Sequence, residues 1–350
     1  MNINLKPIVT VLMPVYNGER FLDQAIRSIL NQTFTDFEFL IIDDGSTDAS
    51  VKIVESYDDR RIRFIQNDKN YGISATLNKG IEMARGNFIA RMDADDLSYP
   101  ERLEKQFAYM SEHSDCALLS TWARIVSESG EPIWTNRWKS RHYYYNLVFR
   151  CIIYHSSVMY RRDAVIAVDK YTLEYSEDYE LWNRMARHFK IANLEETLLD
   201  YRLTEASLSR KTKREEYENT RPHVLCSNID YFTDGGLDLS SSEIEFLMGN
   251  NIFFLGQNHA ETVIRFLEKW ERINDFILKK PNPNRNEESI LEAAAETRQY
   301  LISSVRQNLT IPKQLKLLIK LREWHEIRRL TRVFFHRKLL NSYFIDSTSQ

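Results

Sequence analysis

The sequence has few cysteines and no long apolar run. Its three cysteines, Cys116, Cys151 and Cys226, lie far apart and form no CxxC pair. This spacing argues against a cysteine zinc site or a disulfide framework and is typical of a reducing compartment. No stretch approaches the roughly 18 apolar residues of a membrane-spanning helix, so none is predicted. The N-terminus also lacks a secretory pattern, because residues 1–6 are polar and the apolar run after them is short.

Net charge is low, at −3 over 350 residues, but it is unevenly distributed. Residues 306–338 carry ten Lys and Arg against Glu323 and Glu326, so this segment is about +8 and the remainder about −11. The length allows one large domain or two ordinary ones. An apolar content of 43% is enough to build a substantial core.

Strand-like and helix-like patterns alternate along the first part of the chain. Apolar runs predict strands over 8–13, 37–42, 62–65 and 88–92, and helical spacing predicts helices over 18–31, 47–57 and 73–84. Ser46 or Thr47 is expected to cap the second helix. Because strand and helix alternate, we predict an α/β fold with a doubly wound, mainly parallel sheet.

The later pattern is less regular. It predicts a helix over 100–110, a strand over 116–120, an irregular stretch over 124–150, a strand over 152–160, a helix over 175–189 and a strand over 197–201. Beyond about residue 212 the pattern becomes helical, over 215–232, 241–254, 260–277 and 289–305.

Three carboxylates stand within four residues at the end of the predicted strand 88–92. Asp93 and Asp95 are two residues apart, so in an extended chain they would point to the same side. With Asp96 beside them, mutual repulsion is costly unless a cation is present. Hard oxygen ligands suit Mg²⁺ or Mn²⁺, which carboxylates commonly hold together with substrate phosphates. A solvated acidic turn, or a helix start capped by Asp95 or Asp96, is the alternative.

Polar residues also follow the first two predicted strands. Pro14, Val15 and Tyr16 follow the first strand, and Asp43 and Asp44 follow the second. In a parallel sheet these positions converge with the acidic cluster on one edge, where ligands bind. The sequence therefore predicts a metal–nucleotide site at the carboxyl ends of the strands.

Six stretches, in this order and spacing, resemble the family 2 inverting glycosyltransferases, over about the first 210 residues. They are Val11–Asn17, Ile42–Asp48, Ala90–Asp96, His155–Arg162, Ser176–Trp182 and Tyr201–Leu203. The whole layout is similar to bacterial transferases that extend lipopolysaccharide, lipooligosaccharide or capsule with β-linked GlcNAc, galactose or glucose. The resemblance implies a GT-A fold, a UDP-sugar donor, a lipid-linked or other saccharide acceptor, and Mn²⁺ or Mg²⁺ as cofactor.

For the donor side, the resemblance implies Asp95 as a direct metal ligand. Asp93 would complete the metal site or contact the ribose, and Asp96 would touch the donor sugar or cap the next segment. Asp44 would accept a hydrogen bond from the uracil N3–H, although an Asp before Gly and Ser is also ordinary turn chemistry.

Further donor contacts are expected from the first loop and from the end of the matched region. Tyr16 would stack on the base, and the backbone of Pro14 and Val15 would line the pocket. Arg202 would pair with the diphosphate, unless it forms an ion pair with a surface acid.

For the acceptor side, Asp178 matches the family's catalytic base, which inversion requires on the face opposite UDP. Glu177 beside it would raise or couple its proton affinity, or bind acceptor hydroxyls. The same residues, with Ser176, also have the pattern of a capped helix N-terminus. Trp182 and His155 are expected to bind the acceptor, with core packing and structural hydrogen bonding as the alternatives.

Two departures from the family pattern stand out. Many members have Ala-Arg-Asn where this chain has Thr76, Leu77 and Asn78. Many also have a His after Tyr-Arg-Leu, where this chain has Thr204. That His helps to hold the metal or diphosphate in relatives, so the contacts on that side are left open.

The resemblance predicts a GT-A catalytic domain over 1–211, with a nucleotide-sugar half (1–98) and an acceptor half (99–211). A helical region over 212–350 would follow, with a basic amphipathic segment over 306–340. Helical spacing over 317–334 fits either a helix on an anionic membrane surface or one packed on the catalytic domain. We predict a cytoplasmic location, which would be peripheral on the inner face of the membrane if this helix lies on the membrane surface. No nucleic-acid motif accompanies the charge, and an oligomer is left open.

Two rival functions are less well matched. A nucleotidyltransferase also uses a metal at the end of a doubly wound sheet, but it would need a Gly-rich, basic phosphate loop that Pro14–Gly18 lacks. A non-catalytic sugar-binding or membrane scaffold protein would have lost its carboxylates. Asp44, Asp93, Asp95 and Asp178 are all present.

Overall fold

A computed structural model describes residues 6–204, 213–249, 259–307 and 309–323. The chain divides into two compact units, Met1–Leu237 with Ile277–Ala293, and Asp238–Phe276 with Ala294–Gln350. The predicted domain boundary at 211 and 212 lies outside the described residues. Within the described ranges, no helix is both long and apolar enough to cross a membrane.

The first unit contains a mixed sheet. Its strands are β1 (Val9–Val15), β2 (Phe37–Asp43), β3 (Ile62–Gln66), β4 (Phe88–Arg91), β5 (Leu97–Ser98), β6 (Cys116–Val126), β7 (Pro132–Asn136), β8 (Met159–Arg161) and β9 (Lys190–Arg202). Their order is β3-β2-β1-β4-β8-β6-β9-β5, with β7 paired to β6. The pairs β1–β2, β1–β4, β2–β3 and β6–β9 are parallel, and β8 is antiparallel to both β4 and β6. The predicted α/β fold with a mainly parallel sheet and a helical C-terminal region is confirmed.

Seven helices lie between the strands in sequence, and five more follow the last strand among the described residues. They are α1 (Leu22–Leu30), α2 (Ser50–Glu55), α3 (Ile73–Met83), α4 (Arg102–Glu112), α5 (Tyr143–Phe149), α6 (Arg162–Ala167), α7 (Glu177–His188) and α8 (Arg214–Thr233). The later helices are α9 (Ser241–Leu247), α10 (His259–Lys279), α11 (Glu287–Gln307) and α12 (Ile311–Lys320). Short 3₁₀ turns occupy Ser140–His142 and His155–Ser157.

Both faces of the sheet are buried, as expected for a doubly wound fold. Successive residues of a strand point to opposite faces, and β1 shows this directly. Leu12 packs in the core cluster that includes α3 and α7 residues, whereas Val11 and Met13 pack in the cluster that includes α1 residues. This double burial holds the strand ends in a fixed arrangement, and the candidate site lies beyond those ends.

The predicted strand 152–160 is wrong over most of its length. The chain turns at His155–Ser157 instead, and only Met159–Arg161 forms a strand. The Ser157 N–H and the Ser157 hydroxyl both donate to the carbonyl of Tyr154, at 2.9 and 2.7 Å. A serine hydroxyl that binds nearby backbone in this way favours a turn over a strand.

Two other expectations differ from the structure. The stretch 124–150, expected to be irregular, contains β7 and the aromatic helix α5. The helix predicted over 317–334 is interrupted, because α12 ends at Lys320 and Arg322 adopts a left-handed conformation with φ 56°. Residues 324–340 of the basic segment lie outside the described residues.

The turn between α3 and β4 packs closely against β1 at Gly86. A Cβ at this position would lie 2.4 Å from the backbone nitrogen of Thr10 and 2.6 Å from the carbonyl carbon of Val9. Because backbone cannot move aside as a side chain can, Gly86→Ala should lower the free energy of unfolding by about 1–3 kcal/mol. Urea unfolding measures this change. Asn87→Ala, at the exposed neighbouring position, should change it by less than about 0.5 kcal/mol, and equal effects would contradict the packing argument.

Candidate active site

The loops after β1 and β2 are fastened to each other. Asn17 adopts a left-handed conformation with φ 50°, which Asn tolerates better than most residues. Its N–H donates to the Ser46 hydroxyl at 2.9 Å, and its side-chain oxygen accepts the Thr47 N–H at 2.8 Å. Ser46 and Thr47 therefore join the loops and do not cap α2, which begins only at Ser50.

Tyr16 stands in the first of these loops and is 50% exposed. Pro14 and Val15, which precede it, are the last two residues of β1, and the Val15 carbonyl accepts the Asp44 N–H at 2.7 Å. The three residues expected to form the base pocket therefore lie at the strand edge with an aromatic ring facing solvent. That arrangement leaves the ring accessible to a planar ligand.

Asp44 is buried and accepts three hydrogen bonds from the segment between β3 and α3. Asn67 Nδ2 and the Tyr71 N–H donate to one carboxylate oxygen at 2.7 and 3.0 Å, and the Gly72 N–H donates to the other at 2.9 Å. The carboxylate therefore organises this loop. A carboxylate offers about four acceptor directions, so one remains for a further donor.

The acidic cluster lies in a turn and not in an extended segment. β4 ends at Arg91, and the chain turns at Ala94 and Asp95. A Cβ added to Gly18 would come within 3.3 Å of the Ala94 Cβ. The turn therefore packs against the β1–α1 loop, which brings the first and third polar clusters together.

Asp93 is the member of this cluster whose charge is neutralised. Arg91, which is buried, forms an ion pair with it at 2.5 Å. The Ser156 hydroxyl donates to its other oxygen and accepts its N–H. Burial opposes the charge of Asp93, but the Arg91 guanidinium and the other groups around the carboxylate, including the Ser156 hydroxyl, together outweigh that effect and hold the pKa of Asp93 below its ordinary value.

Asp95 and Asp96 have no such counter-ion among the described residues. Burial and the charge of Asp93 raise the pKa of Asp95 to about 6. Its nearest side-chain donor is the Thr204 hydroxyl, at 3.4 Å. Burial, followed by Asp95 and Asp93, raises the pKa of Asp96 well above its ordinary value. One Asp96 oxygen accepts the Arg202 N–H at 2.8 Å, and the other has no hydrogen-bond partner within the described chain.

Arg202 is fully engaged by protein acceptors. Its guanidinium donates to the Asp95 carbonyl at 2.9 Å, the Glu128 carbonyl at 2.8 Å and the Gln24 side chain at 3.1 Å. It also lies over the Phe21 ring at 4.5 Å. The side chain expected to pair with a diphosphate is thus occupied in positioning the acidic turn, and it forms no ion pair with a surface acid among the residues that the structure describes.

Arg102 supports the same turn and was not anticipated from the sequence. It is completely buried and donates to the Arg91 carbonyl at 3.1 Å and to the Ser156 carbonyl. Its Nε and Nη2 have no hydrogen-bond partner within the described chain. Burial lowers the pKa of Arg102 to about 10, which still leaves it charged at neutral pH.

The donor set fits a divalent cation that is shared with a substrate. Asp95 presents a carboxylate with no ion pair among the described residues, in a turn where like charge already raises its pKa. Each Asp93 oxygen has one protein partner and keeps acceptor capacity. Magnesium-type sites commonly use one or two carboxylates and complete the shell with phosphates and water. Asp95, with Asp93 beside it, supplies that kind of incomplete shell.

The second carboxylate pair begins α7. Ser176 precedes it in a left-handed conformation with φ 55°, and its hydroxyl has no partner in the described part of the chain. The predicted Ser176 cap is therefore not formed. Asp178 accepts the Tyr179 N–H at 2.6 Å and a contact from the Cys151 thiol at 3.8 Å. Burial raises the pKa of Asp178, so this carboxylate accepts a proton more readily than an exposed aspartate does.

Glu177 lies deeper than Asp178. It accepts a hydrogen bond from the Tyr217 hydroxyl of α8 at 3.2 Å. Burial, together with the charge of Asp178, raises the pKa of Glu177 to about 8. Glu177 is therefore mostly protonated at neutral pH and adds little negative charge beside Asp178.

The structure buries His155 and Trp182, both expected to bind the acceptor. The Trp182 ring is 0% exposed and packs against His155, Tyr160 and Tyr171. Trp182 is therefore a core residue, the alternative considered above, because a sugar could not reach its ring. His155 hydrogen bonds to the Tyr171 hydroxyl at 2.7 Å. Burial, and then the charge of Arg91, lower the pKa of His155 well below its ordinary value.

Adjacent residues join the two carboxylate groups. Ser156 binds Asp93, while His155 Nδ1 lies 3.8 Å from a Glu177 oxygen. The acidic turn and the start of α7 are therefore held by one 3₁₀ turn. Sequence reasoning singled out His155 in this motif but missed Ser156, and it also missed Tyr217, because neither carries a local signal of its role.

The two departures from the family pattern have clear structural positions. Leu77 is completely buried in the core, and Asn78 pairs with the backbone of Tyr171 at 2.8 and 3.0 Å. Thr76 lies 3.4 Å from Asn67, the partner of Asp44. The Thr204 hydroxyl lies 3.4 Å from an Asp95 oxygen, so a short neutral group stands where the resemblance led us to expect a histidine.

Comparison with known proteins gives a consistent result. The family profile described as "Glycosyl transferase family 2" matches residues 10–169. An uncharacterized glycosyltransferase of Methanocaldococcus jannaschii is 37% identical over 248 residues, covering 65% of this chain and 84% of that protein. The O-antigen biosynthesis glycosyltransferase WbnJ of Escherichia coli is 32% identical over 211 residues, covering 58% of this chain and 82% of that protein.

A solved structure shares the fold. The crystal structure of S. aureus TarS 1-349 in complex with UDP-GlcNAc superimposes with a TM-score of 0.55 at 19% sequence identity. The match covers 87% of this chain and 93% of the TarS chain. At this identity the likeness concerns the fold.

The buried Glu177 predicts a pH-dependent stability. Its ordinary pKa is 4.5 and its pKa in the folded protein is about 8. Its contribution is therefore fully present below pH 4.5 and is lost as the pH rises through about 8, at no more than about 1.4 kcal/mol per pH unit. Glu177→Gln should remove this loss, so the variant should gain on the wild type as the pH rises. Urea unfolding at a series of pH values measures it, with exposed Glu174→Gln as control, and parallel profiles for Glu177→Gln and wild type would contradict the assignment.

Proposed function

Because the chain belongs to glycosyl transferase family 2 and has the GT-A fold, we propose that this glycosyltransferase transfers a sugar from a UDP-sugar to a saccharide acceptor with inversion, forming a β-linkage. The observation that carries the proposal is the pairing of two carboxylate sites. Asp95 lies in a turn suited to a cation and a diphosphate, and Asp178 lies at the start of α7. Ser156 and His155 hold the two sites side by side.

A UDP-sugar is the donor that the neighbouring proteins support. The TarS structure contains UDP-GlcNAc, and the Escherichia coli relative is named for O-antigen biosynthesis. In this chain Asp44 keeps one acceptor direction, which fits the uracil N3–H. The exposed Tyr16 would stack on the base, and the Pro14 and Val15 backbone would line the pocket. These assignments place the nucleotide-binding contacts in the loops that follow β1 and β2.

The reaction is a single displacement. The acceptor hydroxyl oxygen attacks the anomeric carbon, the bond from that carbon to UDP breaks, and the hydroxyl proton passes to the Asp178 carboxylate. Glu177, mostly protonated at neutral pH, can donate a hydrogen bond to an acceptor hydroxyl while adding little charge beside the base. Attack from the side opposite UDP gives inversion.

Asp95, assisted by Asp93, would hold the divalent cation. When bound, that ion stabilises the negative charge that accumulates on the departing diphosphate. Asp96 positions this turn through the Arg202 backbone, and the Arg202 side chain fixes the Asp95 carbonyl. We assign Arg202 a positioning role for this reason.

The acceptor is proposed to be a bacterial surface glycan, on a lipid carrier or as a free saccharide. In the second unit, α12 carries Lys313, Lys316 and Lys320 together with the exposed Ile311 and Ile319. Basic and apolar groups on one short helix suit the surface of an anionic membrane. The proposed location is accordingly the cytoplasmic face of the membrane.

The first test is hydrolysis of a UDP-sugar panel (Glc, Gal, GlcNAc and GalNAc), with and without Mn²⁺, followed by UDP release. One sugar should give slow, metal-dependent release. Asp95→Ala should lower it by at least about 10²-fold, because the charge on the leaving group is no longer stabilised. The control is Glu101→Ala, which removes an exposed carboxylate close to the acidic cluster in sequence. This variant should leave UDP release unchanged.

Absence of both UDP release and Mn²⁺-dependent UDP binding would refute the donor site. Binding without release would retain the donor site and would direct attention to the acceptor.

The stereochemical prediction concerns the product. Transfer from an α-linked UDP-sugar should give a β-glycoside, visible as a large coupling constant of the anomeric proton in the NMR spectrum. Asp178→Asn should reduce transfer by about 10²–10⁴-fold, since the hydroxyl loses its base, while UDP binding stays within about twofold of the wild type. An α-linked product would overturn the single displacement.

A further inference from the structure

One face of α8 lies against the start of α7. Tyr217, Val224 and Asn228 follow helical spacing along it and are 8%, 3% and 2% exposed. The Tyr217 hydroxyl binds Glu177, and Asn228 donates to the Val148 carbonyl of α5 at 3.2 Å. Val224 belongs to the core cluster that includes α7 residues. This face therefore docks α8 onto the acceptor side of the site.

Arg221 occupies the position on that face between Tyr217 and Val224, and it is exposed. Its side chain is therefore open to solvent, although Tyr217 and Val224 on the same stripe are buried. Tyr217, one helical turn away, is fixed on Glu177, which places the Arg221 side chain near Asp178. Consistent with this, the Arg221 charge counteracts the burial that raises the pKa of Asp178.

Arg221 has no hydrogen bond or ion pair with the described residues, unlike the other cations at the start of α8. Lys213 pairs with Glu216 at 3.0 Å, and Arg214 pairs with Glu218 at 2.6 Å. An exposed guanidinium without a partner among the described residues is available to a ligand. Its planar fork matches the oxygens of a phosphate or a carboxylate, which it can bind through two hydrogen bonds.

The surrounding charge explains why such a cation would be needed. The Asp178 carboxylate lies within reach of the Arg221 charge. It would repel an acceptor that carries negative charge, whereas a neutral sugar would need no cation to approach. We propose, on the basis of the proposed function, that Arg221 binds an anionic group of the acceptor, so that the natural acceptor is an acidic saccharide bearing a carboxylate or a phosphate close to the hydroxyl that is glycosylated.

The test compares charged and neutral acceptors on the full chain with the donor found active in the UDP-release panel. Methyl β-glucuronide against methyl β-glucoside isolates a carboxylate, and glucose 1-phosphate against the same glucoside isolates a phosphate. The concentration of each compound that half-saturates its effect on UDP release is measured, together with kcat/KM where transfer occurs. At least one anionic compound should act at a lower concentration than the glucoside, and which one does so distinguishes a carboxylate from a phosphate.

Arg221→Gln should lower the anionic-to-neutral ratio of kcat/KM, or of the inverse half-saturating concentrations, by about 10- to 100-fold, as expected for the loss of a charged hydrogen-bonded pair. Arg221→Lys should restore part of it, because the charge returns without the fork. The control is Arg214→Gln, an exposed arginine on the same helix that pairs with Glu218, and it should leave the ratio unchanged.

Two results would overturn the inference while leaving the proposed function intact. One is a wild-type enzyme whose UDP release responds to no anionic compound at a lower concentration than to the glucoside. The other is an Arg221→Gln variant that loses activity equally with both acceptor classes and shifts the pH profile, since Arg221 would then act only on Asp178. Failure of the proposed function is separate, because it shows as no metal-dependent UDP release from the wild type with any donor.

Discussion

Negative charge gathered in a partly buried turn is the constraint on which the rest of the site depends. Asp93, Asp95 and Asp96 lose water together, and each makes ionisation of its neighbours harder. The ion pair with Arg91 neutralises Asp93 but leaves Asp95 and Asp96 without a counter-ion among the described residues. Arg202 stabilises these two residues only in part, since its N–H binds Asp96 and its guanidinium binds the Asp95 carbonyl. A turn built in this way keeps carboxylate oxygens that fit a divalent cation.

The sequence predicted the sheet well where the signal was local. Strands β1 to β4 and the helices between them have periodic apolar patterns, and their connections require a parallel arrangement. β8 was misjudged, because apolar residues on both sides of His155–Ser157 resemble one strand while the serine hydroxyls turn the chain. α5 was missed because its tyrosines have little helix propensity and form a helix only when the core covers them.

The carboxylates of the site could be predicted because they follow strands or begin a helix, so their position implies convergence. Their partners could not. Ser156 and Tyr217 matter through contacts with residues 63 and 40 positions away, and a single sequence gives no sign of such pairs. Trp182 and Arg202 show the opposite difficulty. Their residue types suit sugar and phosphate, but tertiary packing places one in the core and surrounds the other with protein acceptors.

The hydrogen bond from Tyr217 to Glu177 bears on how this enzyme can be divided. The family profile matches residues 10–169, and every carboxylate of the site precedes residue 179. The group that secures the second pair comes from α8, beyond all the recognisable motifs. A fragment ending at residue 204 would contain the complete set of acids yet lack the hydroxyl that holds Glu177. Chimaeras between relatives should therefore exchange α8 together with the motifs, as a single unit.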